Sequence, residues 1–248
     1  MGWKRINMLR MTYVILICLP LIAYYIAKAY YIKYHEADYS EETRYSVARR
    51  CIRICMRVGR IKTKCSGQEN LPEDGGYVMF PNHQGKFDVL GIIASHDAPC
   101  TMVMDYKVSK RPIVNPFVEL IKGQRLDKSD RRKQVKTILD IVREVKEGRR
   151  YIIFPEGGYD HNHNELQDFR PGAFQCATKS KAPIVPVAII DSYKVFNVNS
   201  LRKVTTQVHF LPAIPYEEYV GMTTAEIAGI VRERIRTVIV EKLTKGAS

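Results

Sequence analysis

Short apolar runs alternate with amphipathic stretches along the chain from about residue 66 onward. The apolar runs have the length of buried strands and cover residues 77–80, 101–104, 151–154, 184–190 and 207–211. The amphipathic stretches predict helices over residues 87–95, 115–122, 133–147, 172–181 and 224–243. This alternation predicts an α/β fold with a mixed sheet flanked by helices, in which the functional side chains lie at strand ends.

An uncharged apolar run, residues 11–27, precedes this pattern. Cations flank the run on both sides: Lys4, Arg5 and Arg10 before it, and Lys28 and Lys33 after it. As a helix it would reach about 26 Å, slightly less than the ~30 Å hydrocarbon core of a bilayer. Such a helix can just span the membrane, lie in one leaflet or form half of a re-entrant hairpin. A cleaved signal peptide is the alternative, but no small-x-small cleavage site is obvious after it, so we expect a membrane anchor.

The segment from residue 42 to residue 64 combines a dense basic face with an apolar stripe at helical spacing. Its cations are Arg44, Arg49, Arg50, Arg53, Arg57, Arg60, Lys62 and Lys64. This pattern is typical of a helix that lies on anionic headgroups. A solvated basic helix packed on the core and a nucleic-acid patch are the alternatives, and the position after the apolar run favours the membrane. We therefore divide the chain into an N-terminal anchor with a basic amphipathic helix, residues 1–65, and an α/β domain, residues 66–248.

The net charge of +13, from 39 Lys and Arg against 26 Asp and Glu, favours an anionic partner. Nucleic acid, an anionic membrane face and phosphorylated small molecules all fit that charge, which does not choose among them. The six cysteines include no Cys-x-x-Cys pair, which argues against a zinc site and a dense disulfide framework. A reducing compartment is the simpler assumption.

The first candidate for chemistry is His83, which follows a predicted strand, with Asp88 five positions later at the start of a predicted helix. An imidazole can act as a general base when a neighbouring carboxylate fixes its tautomer and stabilises its protonated form. His163 and Asp168 have the same spacing but lie in a polar run. The competing interpretation of His83 is a turn histidine that caps the helix.

Two further segments are candidates for substrate binding. The strand at residues 151–154 runs into a turn with Glu156 and Gly157, where the carboxylate can accept hydrogen bonds from substrate hydroxyls and glycine permits a close approach. The loop at residues 122–132 carries five cations in eleven residues, which suits a phosphate group. Each can also be an ordinary turn or a solvated loop. The sequence has no Gly-x-Ser-x-Gly, phosphate-loop or Gly-x-Gly-x-x-Gly motif, so hydrolase, nucleotide-triphosphatase and dinucleotide-enzyme functions lack support.

Taken in order, these stretches resemble the 1-acylglycerol-3-phosphate O-acyltransferase family, whose first motif is Asn-His-x-x-x-x-Asp. That motif is Asn82, His83 and Asp88 here. The resemblance runs from about residue 67 to residue 188 and includes the lead-in at 69–72 and the blocks at 154–157, 169–174 and 183–188. Four blocks in the right order are more specific than any one of them.

The resemblance implies a membrane-associated enzyme that acylates a lysoglycerolipid, with acyl-CoA or acyl carrier protein as co-substrate and with no metal or bound cofactor. It implies that His83 deprotonates the acceptor hydroxyl and that Asp88 orients His83. The acceptor would lie on the family's second motif, which matches the loop around Asp127 and Lys128, and on its third motif, which matches the block at Glu156. Pro186 would lie on the donor side. The expected acceptor-binding residues are Asn82, Lys122, Arg125, Lys128, Arg132, Glu156 and Gly157.

Two positions depart from the family pattern. Tyr159 stands where the third motif usually has arginine, and Lys128 stands where the second motif usually has arginine. Arginine offers phosphate a bidentate fork and lysine only a point charge, so the expected grip on an acceptor phosphate is weaker. Either Arg125, Arg131 and Arg132 compensate, or the acceptor is a lysophospholipid with a larger head group.

We therefore expect an acyltransferase at the cytoplasmic face of a membrane, with an anionic membrane surface as partner and no nucleic acid. A phospholipid-remodelling acyltransferase or transacylase is the alternative within enzymes. A non-catalytic membrane- or nucleic-acid-binding module explains the basic helix equally well, but gives no reason for the positions of His83, Asp88 and Glu156.

Overall fold

The computed structural model describes residues 9–246, and its centre is a seven-stranded sheet in the order β1-β7-β6-β2-β5-β3-β4. The strands are β1 (Ile61–Ser66), β2 (Val78–Pro81), β3 (Thr101–Asp105), β4 (Gln124–Leu126), β5 (Tyr151–Ile152), β6 (Ile184–Ile190) and β7 (Val204–Phe210). The five strands β2 to β6 run parallel to one another. Strand β7 is antiparallel to β6, and β1 is parallel to β7. The predicted mixed α/β sheet is confirmed. Its topology places the carboxyl ends of β2, β5 and β6 next to one another, at the edge of the sheet where the parallel strands end.

Ten α-helices surround the sheet in the part of the chain that the structure describes. They are α1 (Leu9–Ile17), α2 (Leu19–Tyr34), α3 (Glu41–Val58), α4 (Asp88–Ser95), α5 (Tyr106–Ser109), α6 (Asn115–Leu120), α7 (Arg131–Lys146), α8 (Gln175–Ser180), α9 (Tyr216–Tyr219) and α10 (Thr224–Gly246). Side chains alternate along the strands: Val78 and Phe80 pack with α7, α8 and α10, while Met79 packs with α2, α3, α4 and α6. Both faces of the sheet are therefore covered, as the apolar strands require.

The basic segment at residues 42–64 is not one helix, and this corrects the prediction. Helix α3 ends at Val58, and Ile61–Ser66 forms the edge strand β1. A side chain at Gly59 would meet Val14 at 2.9 Å, so α1 packs closely on this turn. In β1 the half-buried Ile61 and Thr63 alternate with exposed lysines, which is the period of a strand. Residues 61–65, assigned above to the N-terminal part, thus lie in the sheet.

The apolar N-terminal run is divided between α1 and α2, which are bent by 71° relative to each other. Cys18 lies at the break, and Pro20 follows in the first turn of α2, where its missing N–H costs least. Among residues 9–246 no single helix has the length and hydropathy to cross a membrane, and the bent pair reaches both only when its helices are taken together. Lys4 and Arg5 lie outside the described residues.

The three-residue strand β4 was missed by the sequence pattern. All of its residues are half-buried, and it pairs only with β3 at the edge of the sheet, so it has no continuous apolar run. Strand β7 also begins at Val204, three residues before the predicted start at 207. The described loop between β4 and α7 places Lys128 at the same edge of the sheet as the carboxyl end of β5.

Candidate active site

Three polar side chains follow the carboxyl ends of neighbouring parallel strands. His83 comes after β2, Glu156 after β5 and Ser192 after β6. Because parallel strands end at the same edge of the sheet, these residues lie around one site although they are 36 to 109 positions apart in the sequence. They form a site at the edge where the sequence pattern predicted functional residues.

His83 and Asp88 are joined by a hydrogen bond of 2.7 Å between Nδ1 and Oδ2. Asp88 is completely buried, whereas the His83 side chain keeps 18% of its surface exposed. With Nδ1 held by the carboxylate, Nε2 is the nitrogen left to accept a proton, and no group within residues 9–246 hydrogen bonds to it. The predicted His83–Asp88 pair is thus formed and can act as a base.

The Asp88 carboxylate is held by donors on both of its oxygens. Oδ2 also accepts hydrogen bonds from the backbone N–H groups of Gln84 at 2.5 Å and Gly85 at 2.9 Å. Oδ1 accepts the Ser192 hydroxyl at 2.5 Å. Asp88 is the first residue of α4, so the positive end of the helix dipole adds to these donors. Together they stabilise the negative charge and fix the direction of the carboxylate.

The structure gives Asn82 a different role from the acceptor binding that was expected. It is fully buried, and its amide accepts from the Ile189 N–H at 2.7 Å and donates to the Ile189 carbonyl at 3.0 Å. Both polar ends of the side chain are therefore occupied by β6. We assign Asn82 to holding the ends of β2 and β6 together, rather than to contact with the acceptor.

Gln84 continues this connection between strands. Its amide donates to the Ile189 carbonyl at 2.9 Å and accepts from the Ser192 N–H at 2.8 Å. It also donates to Asn164 Oδ1 at 2.8 Å. The turn that carries His83 is thus tied to the residues that follow β6. Sequence reasoning missed Gln84 and Ser192, although the rule that site residues follow strand ends applies to Ser192.

Glu156 is buried beneath His83. Its Oε1 accepts from the His83 backbone N–H at 3.1 Å and its Oε2 from Gln167 Nε2 at 2.9 Å. Burial raises the pKa of Glu156 to about 7, and the charge of Asp88 acts in the same direction. Both oxygens have protein partners, so the expected role in binding substrate hydroxyls changes to support of the His83 backbone.

Two aromatic rings contact the imidazole of His83. Phe154 stacks on it at a centroid distance of 4.2 Å, and Tyr159 meets it edge-on at 4.8 Å. Tyr159 is the residue that replaces the arginine usual in the third motif. The rings leave the imidazole little freedom to rotate away from Asp88.

Lys128 lies beside the turn that follows Glu156. Its Nζ donates to the Gly157 carbonyl at 2.7 Å and lies 3.8 Å from the carboxylate of Asp105. Gly157 has a φ of +72°, a conformation that glycine adopts without strain. The structure therefore brings Lys128, Glu156 and Gly157 together, as predicted, while leaving about half of the lysine side chain exposed.

The other predicted binding residues lie apart from His83 or are already paired. Arg125 donates to Asn115 at 2.9 Å and Glu119 at 3.3 Å, and Lys122 forms an ion pair with Glu36. These partners neutralise two of the cations expected to hold a phosphate. Arg132 is exposed at the start of α7.

Pro186 lies inside β6, a strand whose residues are all buried, so its ring cannot touch a donor directly. Instead, its carbonyl accepts the Leu211 N–H at 3.0 Å. Pro186 therefore belongs to the centre of the sheet.

The second His-x-x-x-x-Asp match does not form such a pair. His163 stacks on Tyr193 at 4.2 Å, and no hydrogen bond joins it to Asp168 within the described chain. The structure thus distinguishes the two matches, as their sequence context did: only His83 is hydrogen bonded to its aspartate. In residues 9–246 no group of three or more His, Cys, Asp and Glu side chains is arranged to hold a metal ion.

The raised pKa of Glu156 predicts a pH-dependent gain in stability for Glu156→Gln. The folded-state pKa of about 7 exceeds the ordinary value of 4.5, so folding loses stability as pH rises between these values, by at most about 3 kcal/mol. The free energy of unfolding of Glu156→Gln, measured in urea, should rise relative to the native protein over that interval. The exposed Glu217→Gln is the control, and an equal response of both variants would contradict the burial of an ionisable Glu156.

A family model described as Acyltransferase matches residues 62–190, more than half of the chain. The 1-acyl-sn-glycerol-3-phosphate acyltransferase of Borreliella burgdorferi is 23% identical over 189 residues, which are 75% of each chain. The Escherichia coli protein of that name is 26% identical over 182 residues, 73% of this chain and 74% of the other. The human alpha protein is 28% identical over 194 residues, 75% of this chain and 66% of the human one.

The fold is also that of a solved structure, the 1-acyl-sn-glycerophosphate acyltransferase from Thermotoga maritima. The TM-score is 0.78 at 18% identity, over 94% of each chain. The matched family segment contains β2 through β6, and with them His83, Asp88 and Glu156. This chain belongs to the Acyltransferase family.

Proposed function

We propose that the protein is a membrane-associated O-acyltransferase that esterifies the free hydroxyl of lysophosphatidic acid or a related lysoglycerolipid. The observation that carries the proposal is the 2.7 Å hydrogen bond from His83 to Asp88, which leaves Nε2 as the proton acceptor. The names of the relatives from Borreliella burgdorferi and Escherichia coli supply the acceptor class.

The reaction requires one proton acceptor and a thioester. His83 Nε2 takes the proton of the acceptor hydroxyl while the hydroxyl oxygen attacks the thioester carbonyl of acyl-CoA or acyl carrier protein. The tetrahedral intermediate collapses to the ester, and the departing thiolate recovers the proton from the imidazolium. Asp88 stabilises the imidazolium between these steps. No metal and no bound cofactor enters this sequence, and the acyl thioester is a co-substrate.

Lys128 is placed to contact the acceptor head group. Its ammonium lies at the Gly157 carbonyl, next to the turn that supports His83, and its side chain is partly exposed. Because Arg125 and Lys122 are paired with Glu119 and Glu36, these two cations contribute less to the binding of a phosphate monoester. An acceptor with a larger head group than lysophosphatidic acid fits this arrangement.

Membrane association is supported by the exposed surface of the N-terminal helices. Large apolar side chains that face outward there are Leu9, Tyr13, Leu16, Ile17 and Leu19. Exposed apolar side chains of this kind suit insertion into one leaflet, and the exposed arginines of α3 suit anionic headgroups. In this arrangement the lipid acceptor comes from the membrane and the soluble donor from the cytoplasmic side.

Replacement of His83 tests the catalytic assignment. His83→Ala should lower turnover with a long-chain acyl thioester and a lysolipid by about 10³-fold, because the general base is lost. His163→Ala, at the other His-x-x-x-x-Asp match, should keep turnover within about twofold of the native protein. Purified variants would be assayed by ester formation on a panel of lysolipids, and full turnover by His83→Ala would exclude this mechanism.

Replacement of Tyr159 tests the choice of acceptor. Tyr159→Arg places a second cation beside His83 and should raise the rate with lysophosphatidic acid, relative to a lysophospholipid with a larger head group, by about tenfold. Tyr159→Phe keeps the ring on His83 and should leave that ratio unchanged. Competition between the two acceptors in one vesicle preparation gives the ratio directly. A ratio that shifts equally in both variants would show that the loss of the tyrosine hydroxyl, not the added charge, sets the preference.

A further inference from the structure

A buried arginine connects the first helix to the catalytic edge of the sheet. Arg10, on α1, is only 2% exposed. Its guanidinium donates to the carbonyl of Val195 at 3.3 Å, to that of Lys194 at 3.5 Å and to that of Arg202. These three carbonyls lie in the loop between β6 and β7, which we call the 192–202 segment. The partners of Arg10 are therefore backbone groups of one loop, more than 180 positions away in the sequence.

The 192–202 segment begins at the residue that holds Asp88. Ser192 donates its hydroxyl to Asp88 Oδ1 at 2.5 Å and its N–H to Gln84 Oε1 at 2.8 Å. Ser192–Val195 is a single 3-10 turn, so Val195, which Arg10 contacts, is three residues from Ser192. A displacement of this short turn moves the serine hydroxyl relative to the carboxylate.

Packing alone gives no reason for a guanidinium at this position. Val14 of α1 and Cys18, at the break after it, already pack against Cys55 and Val58, an apolar contact that does not involve Arg10. Burial of a cation is costly, and desolvation together with the nearby charge of Arg60 lowers the pKa of Arg10. The carbonyl oxygens of the 192–202 segment offset that cost. The side chain thus acts on the segment and not only on the position of its own helix.

Resting on the proposed function, in which His83 is the base, we propose that Arg10 is a positioning residue of the His83–Asp88 pair. By holding the 192–202 segment, Arg10 keeps the Ser192 hydroxyl on Asp88. Correct docking of the N-terminal helix then becomes a condition for rapid acyl transfer, although α1 contributes no group to the reaction itself.

The kinetic test compares Arg10→Met, Ser192→Ala and the double variant on vesicles of one composition. Arg10→Met keeps the length of the side chain and removes its donors, and it should lower kcat about tenfold with little change in KM. If Arg10 acts through Ser192, the double variant loses no more than the more impaired single variant. Lys146→Met is the control for the lost charge, because Lys146 is exposed in the last turn of α7, and its kcat should be that of the native protein.

A second readout separates positioning from a general loss of structure. Without the Ser192 hydroxyl, more of the negative charge of Asp88 is directed at His83, which favours the protonated imidazole. The acid limb of the rate profile should therefore move to higher pH in Ser192→Ala and in Arg10→Met alike, but not in Lys146→Met. A variant that is only less stable would lose amplitude without moving this limb.

Three results would overturn the proposal: an unchanged kcat in Arg10→Met, losses that multiply in the double variant, or an acid limb that stays in place. If Arg10→Met does not fold, the same comparisons are made with Arg10→Lys. Its ammonium keeps the charge but reaches fewer carbonyls. His83→Ala in the same assay keeps the two hypotheses apart. An active His83→Ala removes the proposed function, whereas an inactive His83→Ala beside a fully active Arg10→Met removes only the role of Arg10.

Discussion

The hydrogen bond between His83 Nδ1 and Asp88 Oδ2 is the interaction on which the rest of the site depends. It exists because β2 ends two residues before His83 and α4 begins at Asp88, so that one tight turn places both side chains. A carboxylate with no exposed surface is costly to bury, and it is tolerated here because backbone and hydroxyl donors occupy its oxygens. The fold and the chemistry therefore both require this turn to hold the side chains of His83 and Asp88 together.

Buried polar side chains join the three strand ends that surround the pair. Asn82 and Gln84 bind the backbone at the end of β6, and Glu156 binds the backbone N–H of His83 from the end of β5. Such groups stabilise only when every partner is present, because an unpaired polar group in the core is costly. A shift of one strand would leave several of them without partners. The sheet thus fixes the position of the imidazole to within the tolerance of these hydrogen bonds.

The sequence predicted the parts of the site that lie close together in the chain. His83 and Asp88 were found from their spacing and from the strand before them, and Glu156 from the turn after its strand. Ser192 and Phe154 were not assigned, because their contacts with the pair depend on the strand order β6-β2-β5, which no local pattern encodes. A similar limit explains Lys122, whose partner Glu36 lies far away in the sequence. Arg125 is different, because its partner Glu119 is only six residues away. The alternation of apolar and polar positions was sufficient for the α/β class, but not for the short edge strand β4.

The geometry requires that Asp88 hold the proton of a neutral His83 on Nδ1, so that Nε2 is left to accept a proton. Nitrogen-15 NMR of protein labelled at histidine distinguishes the two tautomers directly, with Asp88→Asn as the comparison. We expect a neutral His83 ring protonated on Nδ1 in the native protein, and a change in that signal when Asp88 is replaced. A ring protonated on Nε2, or a signal that does not respond to Asp88→Asn, would contradict the account.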